Sequence, residues 1–128
     1  MVLLVLHIIQ NNDLENYCQI IDWTPTCDYE IELKHYSMIK LSNKLVFFTL
    51  NFIPYTLSEN GYLHITIPYT VKYSGGIHAS FSSQAALLNY NMHVVAYVSS
   101  GENRINYSIK TISESAHNYI LSQGFIMI

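Results

Sequence analysis

Apolar and polar positions alternate over much of the chain with the two-residue period of strands that are buried on one side. The alternation is clearest in residues 62–67, where Leu and Ile share one side and Tyr, His and Thr the other. Residues 44–53 are dense in aromatic and β-branched side chains, which favour strands. The dipeptide Asn60-Gly61 between these segments is a strong hairpin signal. We therefore predict a meander of strands at 36–41, 44–53 and 62–67.

The same pattern predicts more strands before and after this meander. They are expected at residues 17–21, 28–33, 77–83, 91–99, 104–111 and 118–128, with a helical turn or loop at 84–88. Gly75 and Gly76 can adopt positive φ in a loop at 69–76, and Gly124 indicates a bulge or a close backbone approach. Eight or nine short strands separated by turns predict an all-β fold, an antiparallel β-sandwich or jelly roll, in a single domain over residues 1–128.

Residues 1–10 (MVLLVLHIIQ) form the most apolar run of the chain. The run is too short to span a bilayer as a helix, and it lacks the basic region and cleavage site of a signal peptide. Two interpretations remain: a buried strand, or an apolar arm over residues 1–12 that docks on a neighbouring subunit. Further along, Trp23 precedes a Pro-containing loop and is expected to fill one end of the core.

Charged residues make up only 12% of the chain and the net charge is −3. A β-rich domain has this composition, and so does a chain that buries much of its surface against other subunits, because a soluble monomer normally carries more charge. Six Lys and Arg in 128 residues argue against a nucleic acid as the main partner.

No metal or cofactor site is predicted. Cys18 and Cys27 are the only cysteines, and they form either two free buried thiols or a disulfide across a short loop. His64 and His78 lie on the polar faces of predicted strands and could approach each other, but no histidine has metal-ligand spacing.

Asp28, Glu30 and Glu32 alternate along one predicted strand face. Paired carboxylates can perform acid–base catalysis when one of them has a raised pKa. Three carboxylates in this pattern are more typical of a solvated strand face or of an edge protected by charge, and a cation site is a further alternative. No nucleophile motif, P-loop or dinucleotide fingerprint occurs, and we expect the protein not to be an enzyme.

Tyr69, Tyr73 and Tyr90 fall on or near predicted loops. Exposed tyrosines beside Asn and Ser suit the recognition of sugars or proteins, because the ring gives a large contact area at a small entropic cost. These three residues are the candidate ligand-binding residues. The alternative is that they fill strand faces, as tyrosines do in many β proteins.

Strand and turn patterns follow one another in residues 36–48 (YSMIKLSNKLVFF), 61–70 (GYLHITIPYT) and 75–81. These segments resemble, in this order, the opening pattern, the following strand and the next element of a signature of virus and bacteriophage fibre domains. Residues 23–26 (WTPT) look like the usual lead-in, and residues 120–128 resemble the closing strand. The resemblance covers most of residues 23–128.

The motifs of this signature are turn and strand patterns without a catalytic residue, and Ser42 stands where a glycine is usual. The resemblance implies a small β-sandwich on the surface of a virion, at a fibre or spike tip or in a minor capsid position. It implies a homotrimer that contacts other virion proteins and a host glycan or surface protein. The alternative hypothesis is a monomeric, lectin-like carbohydrate-binding module.

Overall fold

The computed structural model describes residues 18–55, 61–82, 93–110 and 119–128, and these residues contain nine strands and no helix. The strands are β1 (Gln19–Ile20), β2 (Thr26–Cys27), β3 (Ile31–Ser42), β4 (Leu45–Pro54), β5 (Tyr62–Thr66), β6 (Gly75–Ser82), β7 (His93–Val98), β8 (Arg104–Lys110) and β9 (Tyr119–Met127). The predictions for residues 1–17, for a helical turn at 84–88 and for Tyr90 lie outside the described residues.

All nine strands belong to one antiparallel sheet with the order β1-β3-β4-β9-β6-β7-β8-β5-β2. Strand β6 changes partner along its length: residues 75–77 pair with β7, and residues 78–82 pair with β9. The change divides the sheet into a first half-sheet (β1, β3, β4, β9 and residues 78–82) and a second half-sheet (residues 75–77, β7, β8, β5 and β2). The all-β prediction is confirmed, and the pairing gives a single curled sheet.

The two edges of the sheet lie close together. Strands β1 and β2 stand at opposite ends of the strand order, yet only residues 21–25 connect them. Six Cα steps reach at most about 20 Å, whereas the outer strands of a flat nine-stranded sheet would be separated by about 38 Å. The short connection therefore requires the sheet to curl until its edges approach each other.

Trp23 occupies the gap between these edges. Its ring meets Phe48 of β4 and Tyr36 of β3 edge-on, with centroid distances of 6.3 and 6.4 Å. Its Nε1–H donates a hydrogen bond of 3.0 Å to the carbonyl oxygen of Thr66 on β5. Only 6% of the side chain is exposed, which confirms the expectation that Trp23 fills one end of the core.

The core lies inside the curl, where the two half-sheets face each other. Phe52 of β4 packs edge-on against Tyr107 of β8 at a centroid distance of 5.1 Å. The Ser122 hydroxyl donates to the carbonyl oxygen of Leu50 at 2.9 Å, so the Tyr107 hydroxyl, 2.7 Å away, donates to Ser122. Burial raises the pKa of Tyr107. These contacts satisfy a polar pair inside an otherwise apolar core.

The predicted pairing of β4 with β5 is wrong. Strand β4 pairs with β3 and β9, and β5 pairs with β8 and β2. Gly61 does have a positive φ of 75°, as the Asn-Gly signal indicates. A turn residue fixes only the local backbone, whereas each strand pairs where its apolar face reaches the core.

Strand β3 unites two segments that the pattern separates. Residues 28–33 and 36–41 were predicted as two strands, but Ile31–Ser42 is one strand, with register shifts between Leu33 and His35 and between Lys40 and Ser42. The first shift lies between the two predicted segments. A bulge adds one residue to a strand, so the alternation of inward and outward side chains is reversed beyond it. In the sequence, one strand with such a reversal looks like two strands.

The glycine predictions give mixed results. Gly75 and Gly76 lie in β6 and neither has a positive φ, whereas Gly101 in the turn before β8 does, at 86°. At Gly124 the pairing of β4 with β9 continues without a bulge. A Cβ atom there would lie 3.0 Å from the side chain of Ile77, so the close neighbour of this glycine is a side chain and not another backbone.

The free edges of the sheet carry features that oppose edge-to-edge pairing. Short β1 covers β3 only at Ile39 and Lys40, and the uncovered part of β3 holds the bulge and the ion pair of Lys34 with Glu32. At the other edge, Asp28 accepts the backbone N–H of His64 at 2.9 Å. Bulges and charges at edges hinder the addition of a further strand.

Candidate binding surface on the outer face of the first half-sheet

Cross-strand neighbours share a face of a sheet, so the register defines rows of side chains on the outer face of the first half-sheet. Four of these rows lead from the apolar part of the face to its charged end. They are Ile20–Ile39–Phe47–Phe125, then Ser37–Thr49–Gln123–His78, then His35–Asn51–Leu121–Ser80, and then Glu32–Ile53. The face therefore changes from apolar through neutral polar to charged.

The two middle rows line a groove with a volume of about 330 Å³, which we call the polar groove. It crosses β3, β4, β9 and β6, a width of about 14 Å at the usual strand spacing. Its lining comprises His35, Thr49, Asn51, His78, Ser80, Leu121, Ser122 and Gln123. The volume lies at the lower end of the range for small-molecule sites, and every lining residue except Leu121 has a polar side chain.

Among the described residues, few side chains of the polar groove have a hydrogen-bond partner. Thr49 shares a hydrogen bond of 2.7 Å with Ser37. In the described parts of the chain, no side-chain hydrogen bond engages Asn51, Gln123 or the two histidines. Their donors and acceptors face solvent and are available to a ligand. None of the described residues that line the groove is Asp, Glu, Lys or Arg, so it is suited to an uncharged polar molecule.

Beside the groove lies an apolar patch. It consists of Ile20, Ile39, Leu45, Phe47, Phe125 and Met127. Ile20 is 86% exposed, Phe125 61% and Met127 46%, and the rings of Phe47 and Phe125 meet at a centroid distance of 5.0 Å. Contiguous exposed apolar side chains of this kind mark surfaces that bind a partner.

The opposite end of the face carries a small charged cluster. Glu32 accepts a hydrogen bond from the Tyr55 hydroxyl and forms an ion pair of 2.5 Å with Lys34. The hydrogen bond to this carboxylate raises the pKa of Tyr55. The Lys34 ammonium lies 5.8 Å from the ring centroid of Tyr119. These contacts fix the side chain of Glu32. Asp28 instead accepts a hydrogen bond from the backbone of β5, so two of the three carboxylates of the predicted acidic face have different partners.

Neither Tyr69 nor Tyr73 lines the polar groove. Tyr69 and Tyr73 both belong to the connection between β5 and β6. This connection leads into the start of β6, whereas residues 83–92 follow the end of β6. Tyr69 is half-buried against the core with Lys40 above its ring, whereas Tyr73 is 57% exposed with Lys72 above its ring. Tyr90 lies outside the described residues.

The histidines and cysteines are also separated. His64 on β5 and His78 on β6 have β7 and β8 between them in the strand order, so the expectation that they approach each other is wrong. Among the described residues, no group of three His, Cys, Asp or Glu could hold a metal ion. Both cysteines are free thiols, and Cys18 is exposed. Burial raises the pKa of the Cys27 thiol to about 11, which keeps it protonated and unreactive at neutral pH.

Comparison of the chain with protein-family models, curated proteins and solved structures gives no match. In the parts of the chain that the structure describes, no helix has the length and apolar character needed to cross a membrane. The outer face of the first half-sheet is therefore identified as a candidate site from its geometry alone. Sequence analysis missed Asn51 and Gln123; the signal was a polar side chain at the outward position of a strand rich in apolar residues.

Proposed function

We propose that this chain is a non-enzymatic structural domain that assembles with copies of itself through the apolar patch. The observation that supports this proposal most strongly is the continuous row from Ile20 to Phe125 across four strands, with exposed fractions of 86% and 61% at its ends. Burial of such a row in a subunit interface removes apolar area from water at about 25 cal/mol per Å². Aromatic residues are enriched and charges depleted at the centres of interfaces, as in this patch.

Two sequence features support a more specific form of the proposal, in which the assembly is a homotrimer on a virion. The low content of charged residues suits a protein with extensive subunit contacts. The resemblance to virus and bacteriophage fibre domains implies a homotrimer on the virion surface, at a fibre tip, spike or minor capsid position, where it would contact other virion proteins and a host receptor. The sandwich or jelly-roll arrangement also belongs to this proposal, because Phe52 and Tyr107 bring the two half-sheets into contact.

Replacement of Phe125 by lysine is expected to dissociate the assembly. A charge in the centre of an apolar interface is buried without a partner, at a cost of several kcal/mol for each copy. Light scattering after size exclusion, at tens of micromolar chain, should give the mass of three chains for the wild type and of one chain for Phe125→Lys.

Val95→Lys is the matched control for this variant. Val95 is 53% exposed on β7 of the second half-sheet, outside the apolar patch, so its replacement should leave the mass unchanged. A wild-type mass of one chain would overturn the proposal. If the wild type forms a closed oligomer of another size and Phe125→Lys dissociates it, assembly through the patch is supported and that oligomer replaces the trimer in the proposal.

A monomeric carbohydrate-binding module is the second candidate function, with Tyr69, Tyr73 and Tyr90 as the predicted ligand-binding residues. The observation that favours it is the exposure of the Tyr73 ring, which projects from a connection between strands. An exposed aromatic ring provides a flat apolar surface for the C–H face of a sugar. This function requires a wild-type mass of one chain together with glycan binding that is lost in Tyr73→Ala.

A further inference from the structure

We infer that the polar groove is a binding site for a neutral oligosaccharide. This inference adds a ligand class to the proposed structural domain, and it places the ligand at residues different from the candidate tyrosines. The groove adjoins the apolar patch but shares no residue with it, since Thr49 and Gln123 stand one row away from Phe47 and Phe125. Assembly through the patch therefore leaves the groove at the margin of the interface.

The chemistry of the lining favours a polyhydroxylated ligand. Asn51 and Gln123 each present a carbonyl oxygen and an NH₂ group at the tip of the side chain, so each can accept and donate at once. Neighbouring hydroxyl groups of a sugar need this combination, because every hydroxyl is both donor and acceptor. His35 and His78 add further ring nitrogens at the two ends of the groove.

The floor of the groove supplies an apolar contact. Leu121 lies between Asn51 and Ser80 in the same row, so it is a half-buried apolar side chain surrounded by polar ones. A sugar ring has an apolar C–H face and a polar rim of hydroxyls. A ring that lies on Leu121 would place this rim among the polar side chains.

Other classes of ligand fit the groove less well. A phosphorylated or sulfated molecule needs cationic partners, and the described lining of the groove includes no Lys or Arg. A peptide in extended form binds best along a free strand edge, where it gains main-chain hydrogen bonds. The groove instead crosses the strands on the face of the sheet, where the main chains already pair with each other. An uncharged oligosaccharide uses the side-chain donors and acceptors directly.

The test is a printed array of neutral oligosaccharides, presented beside sialylated and sulfated ones and beside immobilised peptides, with the full chain as analyte. Titration calorimetry with the best neutral sugar follows. Asn51→Ala and Gln123→Ala are expected to weaken its affinity at least tenfold. Asn103→Ala and Gln19→Ala are matched controls on exposed positions outside the groove, and they should leave the affinity unchanged.

Light scattering and thermal unfolding of the same variants separate this inference from the proposed assembly. The groove variants should keep the wild-type mass and unfolding temperature, and Phe125→Lys should bind the sugar in calorimetry with unchanged affinity. Absence of binding to any neutral sugar would overturn the inference, as would binding confined to acidic glycans or peptides. Neutral-sugar binding that survives in both groove variants would also overturn the inference. If that binding is lost in Tyr73→Ala, the sugar site lies at the tyrosines.

Discussion

Replacement of Gly61 by alanine is expected to destabilise the protein by about 3 kcal/mol or more, well above the usual effect of a single substitution. Gly61 has a φ of 75°, and a Cβ atom on it would lie 2.3 Å from the carbonyl oxygen of Ile109. The left-handed backbone alone costs an alanine about 1–2 kcal/mol. The clash adds to this cost because the obstructing atom belongs to the backbone of β8, so no side-chain rotation relieves it.

The strand pairing makes escape from this clash costly. The Gly61 carbonyl oxygen accepts the Ile109 N–H at 2.8 Å, and the next residue, Tyr62, pairs with Ser108. A shift of Gly61 away from Ile109 breaks this hydrogen bond at the start of β5. Urea denaturation followed by the fluorescence of Trp23, the only tryptophan, measures the loss of stability.

Gly101→Ala is the matched control for the Gly61 variant. Gly101 also has a positive φ, 86°, but no atom lies within 4 Å of the position of its Cβ. It should therefore lose only the backbone term, about 1–2 kcal/mol. Equal losses of stability in the two variants would show that the clash with Ile109 contributes nothing to the destabilisation of Gly61→Ala. If Gly61→Ala accumulates only as insoluble protein while Gly101→Ala is soluble, the order of the two effects still holds.

Local structure could be predicted from the sequence to a large extent. Strand β5 (Tyr62–Thr66) lies within one residue of the predicted segment, and β8 (Arg104–Lys110) does too. Both have a regular alternation with one buried face, which is the condition under which a two-residue period is informative. The turn between the strands predicted at 36–41 and 44–53 lies at Asn43 and Lys44. Strand β3 was divided because a bulge at Lys34 reverses its alternation.

The arrangement of the strands could not be predicted in the same way. The positive φ of Gly61 could be predicted because glycine lacks a Cβ atom, but the partner of β5 is β8, more than 40 residues further along the chain. Which strands pair depends on packing across the whole core, such as the contact of Phe52 with Tyr107. No short segment contains that information.

The candidate site depends entirely on this long-range pairing. His35, Asn51, His78 and Gln123 each stand on a different strand and share no spacing in the sequence. Each has a polar side chain at an outward position, which an ordinary solvated strand also has. Only the register of β3, β4, β9 and β6 brings them into one groove. The candidate tyrosines were chosen from loop position alone, and this criterion cannot detect a site on the face of a sheet.

Replacement of Trp23 by alanine is expected to cost about 3–5 kcal/mol, the usual range for deletion of a buried aromatic side chain. Trp23 contacts Phe48 and Tyr36 on one side of the gap between the sheet edges and donates a hydrogen bond to Thr66 on the other. Trp23→Phe keeps an aromatic ring and loses the Nε1–H donor, so it should cost less, about 1–3 kcal/mol. Urea denaturation followed by far-ultraviolet circular dichroism gives both values without the indole signal.

The difference in stability loss between Trp23→Ala and Trp23→Phe tests how the curled sheet is held closed. If Trp23 joins the two edges, Trp23→Ala should also speed hydrogen exchange at the amides of β1 and β2, because these short strands have little other support. Tyr73→Ala removes an aromatic ring that is 57% exposed and should change stability by only about 0.5 kcal/mol. A loss below about 1 kcal/mol in Trp23→Ala, with unchanged exchange at both edges, would mean that residues 21–25 close the sheet without the indole ring.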